Sequence, residues 1–297
     1  MKNFYIHFEE NNVDLITKQN FGDAVNRKFW ETFIGEKIIA NREDDHYITT
    51  GSIMAYCNDK SIVFGSGFLT ATDNVGNEWD FSKSEVYPKE VIAVRGPLTR
   101  DRLLAKGISC PEVYGDPLIM FPAIYNVKKQ QKKNLIGILP HYWDEYIKSN
   151  NIQLLKTNLE ENGYKVNILS MAVGDNYENL INDISECDYV ITSALHGLIL
   201  SLAYKVKTIL VDFSEDRLNN LGRKFKYDDF LQSIDLDYEI KNVFDFTVLS
   251  NTLKINNEKV KFLGLNLIQH CPFISNERKN ILSKKYLEFY ELEKTNY

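Results

Sequence analysis

Three side chains able to carry positive charge stand directly after apolar, strand-like runs. Arg95 follows Val91–Val94, His141 follows Leu135–Pro140, and His196 follows the run that ends near Ser193. In a parallel α/β sheet the strand-to-helix turn lies at the carboxyl edge, where ligands bind, and the helix N-terminus behind it favours anions. A cation or imidazole there suits chemistry on an anionic substrate. His196 is the ionisable side chain at the turn between Tyr189–Thr192 and the apolar helix after it, and Gly197 permits close approach of backbone. The helix N-terminus disfavours imidazolium in an empty site, so His196 is expected to rest neutral and to gain a proton when an anion binds. Such a histidine can take a proton from a hydroxyl or give one to a substrate.

Each residue also has an ordinary reading. Arg95 could brace its loop against a carboxylate such as Asp116, in the turn Gly115-Asp116-Pro117. His141 could cap a helix or stack beside Tyr142 and Trp143. In Asn20-Phe21-Gly22-Asp23 the glycine admits a ligand or a facing backbone, and Asp23 could orient a sugar hydroxyl or simply cap a helix. Gly65-Ser66-Gly67 has the look of a phosphate-cradling turn but lacks a full Gly-x-Gly-x-x-Gly pattern, so a tight turn or bulge is the stronger reading. Arg217, Arg223, Lys224 and Lys226 form a basic cluster that could meet a pyrophosphate, although a solvated face accounts for it slightly better.

The elements that must position these residues alternate between strand and helix, the pattern of parallel sheets flanked by helices. In the first half, strands are expected at Phe4–Phe8, Tyr47–Thr49, Ile62–Phe64, Val91–Val94 and Glu112–Tyr114. Gly22–Ile34 reads as a helix with Val25, Phe29 and Phe33 on one face, Asp23 as its cap and Gly35 as its end. Thr99–Lys106 reads as a second. The polar run Lys128–Lys133 suits a linker. A second series follows: strands Leu135–Leu139, Lys165–Leu169, Tyr189–Thr192 and Thr208–Phe213, with helices Gln153–Glu161, Leu180–Glu186 and the segment after His196. A closing helix, Asn276–Lys294, places Ile281, Leu282, Tyr286, Phe289 and Tyr290 on one stripe, expected to pack against the body. The expected fold class is therefore α/β, with two Rossmann-like domains facing across a cleft, at 1–127 and 134–265, and a helical tail at 266–297.

With 297 residues, 44% hydrophobic and 26% charged, the chain has the composition of an ordinary globular protein. A net charge of -6 argues against a nucleic-acid partner. The four cysteines, Cys57, Cys110, Cys187 and Cys271, are scattered and are expected to be reduced core thiols; no clustered ligands point to a metal. No apolar run reaches the ~20 residues of a membrane span, so any membrane contact is expected to be peripheral.

Five segments in this order, Asn20-Phe-Gly-Asp23, Val94-Arg-Gly-Pro-Leu-Thr-Arg-Asp-Arg-Leu103, Tyr114-Gly-Asp-Pro-Leu118, Pro140-His141 and Ser193-Ala-Leu-His-Gly-Leu198, together resemble the polysaccharide pyruvyl transferase family. The resemblance runs from about Phe4 to Phe213. It implies a fold similar to two-domain GT-B glycosyltransferases and a reaction that moves an enolpyruvyl unit from phosphoenolpyruvate onto a sugar of a surface-polysaccharide precursor, commonly closing a pyruvate ketal. It implies catalytic roles for His196, His141 and Arg95. Substrate contacts would fall on Asn20, Gly22, Asp23, Gly65, Ser66, Gly67, Arg100, Asp116, Ser193, Leu195 and Gly197. Phosphoenolpyruvate would be a co-substrate, no cofactor or metal is demanded, and the acceptor would be a saccharide, lipid-linked or nucleotide-linked, met in the cytoplasm at the inner face of the membrane. Some members of that family carry arginine where this chain has Ala194, which shifts anion binding here towards Arg95, His141, Arg100 or backbone amides. Two other readings stay open: a nucleotide-sugar glycosyltransferase on the same fold, and a saccharide-binding relative without catalysis.

Overall fold

A computed structural model describes residues 1–10, 20–70, 87–127, 134–213, 224–238, 240–242, 249 and 252–291. The expected linker 128–133, together with Arg217 and Arg223, lies outside them. In the first half the chain forms β1 (Lys2–Phe4), α1 (His7–Glu10), α2 (Phe21–Ile34), β2 (Ile38–Ala40), β3 (His46–Ile48), β4 (Ser61–Phe64), β5 (Glu90–Ala93) and α3 (Pro97–Ala105). The second half contributes β6 (Leu135–Leu139), α4 (Tyr142–Ile147), α5 (Ser149–Glu161), β7 (Lys165–Ile168), α6 (Tyr177–Glu186), β8 (Tyr189–Thr192), α7 (Leu195–Ala203), β9 (Lys207–Asp212), α8 (Phe225–Gln232), β10 (Lys241–Asn242), α9 (Asn257–His270) and α10 (Asn276–Glu291).

The strands form two five-stranded sheets, ordered β2-β1-β3-β4-β5 and β10-β9-β8-β6-β7. Every pairing in them is parallel. The fold is α/β, as the alternation implies. β6 shows why: all five of its residues are buried, the continuous apolar run expected of an inner parallel strand covered on both faces. Its Gly137 makes room for Cys187 and Leu169, since a Cβ there would lie 2.9 Å from the Cys187 sulfur. None of the four cysteines forms a disulfide.

Several boundaries differ from expectation. β1 ends at Phe4, and the chain turns into α1 at His7 instead of continuing as a strand to Phe8. Glu112–Tyr114 is reduced to a single bridge between Tyr114 and Val94. β2 pairs outside β1 at the sheet edge, and only Ile38 of its three residues is buried. Asn20, not Asp23, precedes the first turn of α2, and Asp23 accepts a hydrogen bond from the Asn20 side chain at 2.7 Å.

One buried apolar cluster runs through both halves, from Phe4 and Trp30 to Leu198 and Tyr286. Phe273, between α9 and α10, packs its ring against Phe4, Trp30, Tyr47 and Phe64 of the first sheet and its helix. In α10, Leu282, Tyr286, Phe289 and Tyr290 are buried; Ile281, expected on the same stripe, faces out at 41% exposure. Arg278 donates to the Phe33 and Thr32 carbonyls at the end of α2. The expected division after residue 265 falls inside α9. No helix among the described residues is long and apolar enough to cross a membrane.

Candidate active site

His196 occupies the first turn of α7, immediately beyond the carboxyl end of β8. The helix is apolar almost throughout, with Leu195 and Gly197 to Ala203 buried, so it sits against the sheet and fixes its own first turn. Gly197 allows this seating: a Cβ on it would come within 2.7 Å of Thr192 Oγ1 and 2.9 Å of Leu139. Its smallness therefore serves helix-on-sheet packing. Thr192 Oγ1 donates to the Leu139 carbonyl and accepts from the Ala194 N–H, which shapes the turn.

The imidazole reaches back to the first half of the chain. A Cβ on Gly22 would lie 1.8 Å from His196 Nδ1, so the ring is laid against the backbone of the first turn of α2. On its other side His196 Nε2 is 3.7 Å from Asp116 Oδ2. Neither atom has a hydrogen-bond partner, and both are buried. Asp116 is fully buried and uses Oδ1 to accept the Leu118 N–H, capping the 3-10 turn Pro117–Ala123. A buried carboxylate oxygen and a buried imidazole nitrogen without hydrogen-bond partners are unusual, because leaving such groups without hydrogen bonds is costly.

His141 lies two residues beyond Leu139 of the neighbouring strand β6, which pairs with Thr192 of β8, so its turn adjoins the one that carries His196. Its Nδ1 accepts the Trp143 N–H, capping α4, and its ring lies 4.5 Å from that of Tyr142. Its backbone N–H donates to Ser193 Oγ, which donates in turn to the buried Asp144. Ser193 thus ties the His141 turn to the His196 turn. Capping and stacking, the ordinary reading of His141, are both present.

Arg95 requires a correction. Its guanidinium is fully buried, with Nε and Nη2 each 3.0 Å from Asp229 Oδ2, Nη1 donating to Ser52 Oγ and Nη2 donating to the Phe68 carbonyl. No face is open to a donor, so in this arrangement Arg95 is a brace. Its carboxylate is Asp229 of α8, not Asp116, which faces His196. Asp229 also accepts from the Thr99 N–H and hydroxyl, and two residues earlier Tyr227 donates to the Ser193 carbonyl. Helix α8 therefore links the Arg95 loop to the turn that carries His196. Sequence reasoning missed Asp229 and Tyr227, which sit in Lys-Tyr-Asp-Asp-Phe, a string that reads as a charged surface helix.

The other expected substrate residues separate into two groups. Asn20, Gly22 and Asp23 lie at the start of α2 beside His196. Tyr56 is near them, and burial together with the Asp23 charge pushes its hydroxyl up to about 12. Gly65, Ser66 and Gly67 are occupied by protein instead. Gly65, at φ +85, packs on Pro117; Ser66 donates to the Gly51 carbonyl; and a Cβ on Gly67 would lie 2.5 Å from the Arg95 guanidinium carbon. This is a tight turn next to a register shift between β4 and β5, not an open cradle. Arg100 turns away to the Cys110 carbonyl and Glu112. Lys224 pairs with Asp228, and Lys226 is buried over Tyr227. Among the described residues no group of three or more histidine, cysteine or acidic side chains could hold a metal ion.

Parallel sheets with helices between their strands, and an imidazole facing a carboxylate at a sheet edge, place the chain among the α/β proteins. The chain belongs to the polysaccharide pyruvyl transferase family, which matches residues 4–215, from the end of β1 to just beyond β9, and so takes in the His196 turn. It is also similar to the Uncharacterized protein L143 of Acanthamoeba polyphaga mimivirus, at 24% identity over 293 residues, covering 95% of this chain and 91% of that protein.

Proposed function

We propose that the protein transfers the enolpyruvyl unit of phosphoenolpyruvate to a saccharide and closes a pyruvate ketal on two of its hydroxyls. The observation that carries this reading is the His196–Asp116 pair, two buried polar atoms 3.7 Å apart that lack a hydrogen-bond partner, at the mouth of a helix N-terminus. Phosphoenolpyruvate is doubly anionic, and the amides opening α7 favour its charge. His196 delivers a proton to the methylene carbon, which leaves an oxocarbenium-like centre at C2; Asp116 stabilises the imidazolium before transfer and orients the ring. A sugar hydroxyl adds at C2 and its proton returns to His196. Phosphate leaves with the bridging oxygen, and a second hydroxyl adds at C2 to close the ring, its proton passing to the departing phosphate. Donor plus diol then balance to ketal plus phosphate.

In the same proposal 1–127 and 134–265 act as two Rossmann-like lobes in a GT-B arrangement, with donor and acceptor meeting between them in the cytoplasm. Asn20, Gly22 and Asp23 border the acceptor. The test is to incubate the protein with phosphoenolpyruvate and a panel of glycan intermediates, then follow phosphate and product mass. The reading expects stoichiometric phosphate and a product heavier by pyruvic acid less water; phosphoenolpyruvate left intact with every acceptor overturns it. Enclosure of Arg95 favours one other reading, a saccharide-binding relative without transfer, which predicts glycan binding and no phosphate release.

A further inference from the structure

Helix α4 is capped by His141 on the rim of the second sheet, and its outer side is exposed among the described residues. Trp143, Tyr146 and Ile147, at i, i+3 and i+4, are 38%, 70% and 54% exposed, and Leu154 on the next helix is 56% exposed. These four are large apolar side chains within twelve positions. The two carboxylates of α4 are turned inward, Asp144 to Ser193 and Glu145 to Ser170. Lys148 closes α4 next to Ile147, whereas Lys156 pairs with Glu160. We propose that this face docks on an anionic lipid surface, with Trp143 and Tyr146 at headgroup level and Ile147 and Leu154 deeper.

Chemistry and size both select that occupant. Tryptophan and tyrosine carry an apolar body and a polar edge, which suits a membrane interface, and the Lys148 cation next to Ile147 would meet an anionic headgroup. A second copy of the chain fits less well. The four side chains offer on the order of 400 Å² of surface, about half of what each partner buries in a stable dimer. Docking here would hold the His141 and His196 turns close to the bilayer, where a lipid-linked saccharide is presented.

Full-length protein is sedimented with phosphatidylcholine vesicles, with and without about a third phosphatidylglycerol. A Trp79→Phe version is then titrated with brominated lipid, which quenches tryptophans within reach; Trp30 is buried, so Trp143 reports. Binding to the anionic vesicles and quenching of Trp143 are expected. The triple variant Tyr146→Ser, Ile147→Ser, Leu154→Ser should bind about tenfold or more weakly with unchanged melting temperature. No sedimentation with anionic vesicles, no quenching, or equal binding by the triple variant overturns the proposal. So does self-association abolished by the same substitutions, which would assign the face to a second copy. None of these readouts requires transferase activity.

Discussion

Gly22 and His196 come from opposite halves of the chain, yet a single Cβ on Gly22 would lie 1.8 Å from His196 Nδ1. The glycine is part of the site because of what it leaves out. Gly22→Ala must displace either the imidazole or the start of α2. The expected result is a loss of transfer of about a hundredfold or more, the scale of a mispositioned acid-base group. Retained activity together with an unchanged fold by circular dichroism would mean the ring has another productive position.

Asp116→Asn keeps the size of the side chain and can still cap Pro117–Ala123 through its amide oxygen, while removing the charge facing His196. Turnover should fall about tenfold to a hundredfold and the affinity for phosphoenolpyruvate should hold or improve, since a nearby negative charge is gone. Steady-state kinetics separate the two terms. Unchanged turnover would remove Asp116 from the chemistry.

Arg95 and Asp229 are paired with no solvent exposure on either side, so removing one partner leaves a buried charge alone. Arg95→Met and Asp229→Asn should each destabilise the fold by about 3–5 kcal/mol. In the double variant the losses should not add, because the residues touch. Urea denaturation of the three variants checks this. Strict additivity would contradict the brace.

His46 is fully buried, with Nδ1 against the Asp44 carbonyl and Nε2 against Ser61 Oγ. Burial lowers its pKa from the usual value, with the Asp44 carbonyl opposing. The unfolded chain then binds the proton more readily, so stability is fully present above about pH 6.5 and declines as pH falls through the unfolded value towards the folded one. Unfolding measured from about pH 7.5 down to 5 should show this loss, and His46→Gln should flatten that part of the profile. Identical profiles for the two proteins would refute it.

What the sequence made legible follows from what each residue must do. The strand Leu135–Leu139 and the turn at His196 were readable because an inner parallel strand is apolar throughout and leaves little else ionisable beside it. β2 was hidden, since an edge strand of three residues with one buried side chain has no periodicity to detect. The partner of Arg95 could not be read because Asp229 lies 134 positions away on a helix that looks solvated. Gly65, Ser66, Gly67 and Gly197 suggested ligand contact and proved to serve close packing against Pro117, Gly51, Arg95, Thr192 and Leu139. Small residues admit any neighbour, and only the fold says which.

Phosphate release from phosphoenolpyruvate in the presence of a saccharide acceptor, compared between the wild-type protein and His196→Ala at matched thermal stability, bears most directly on the account. Acceptor-dependent release that drops at least about a hundredfold in the variant is the predicted result. Equal release from both proteins would contradict it.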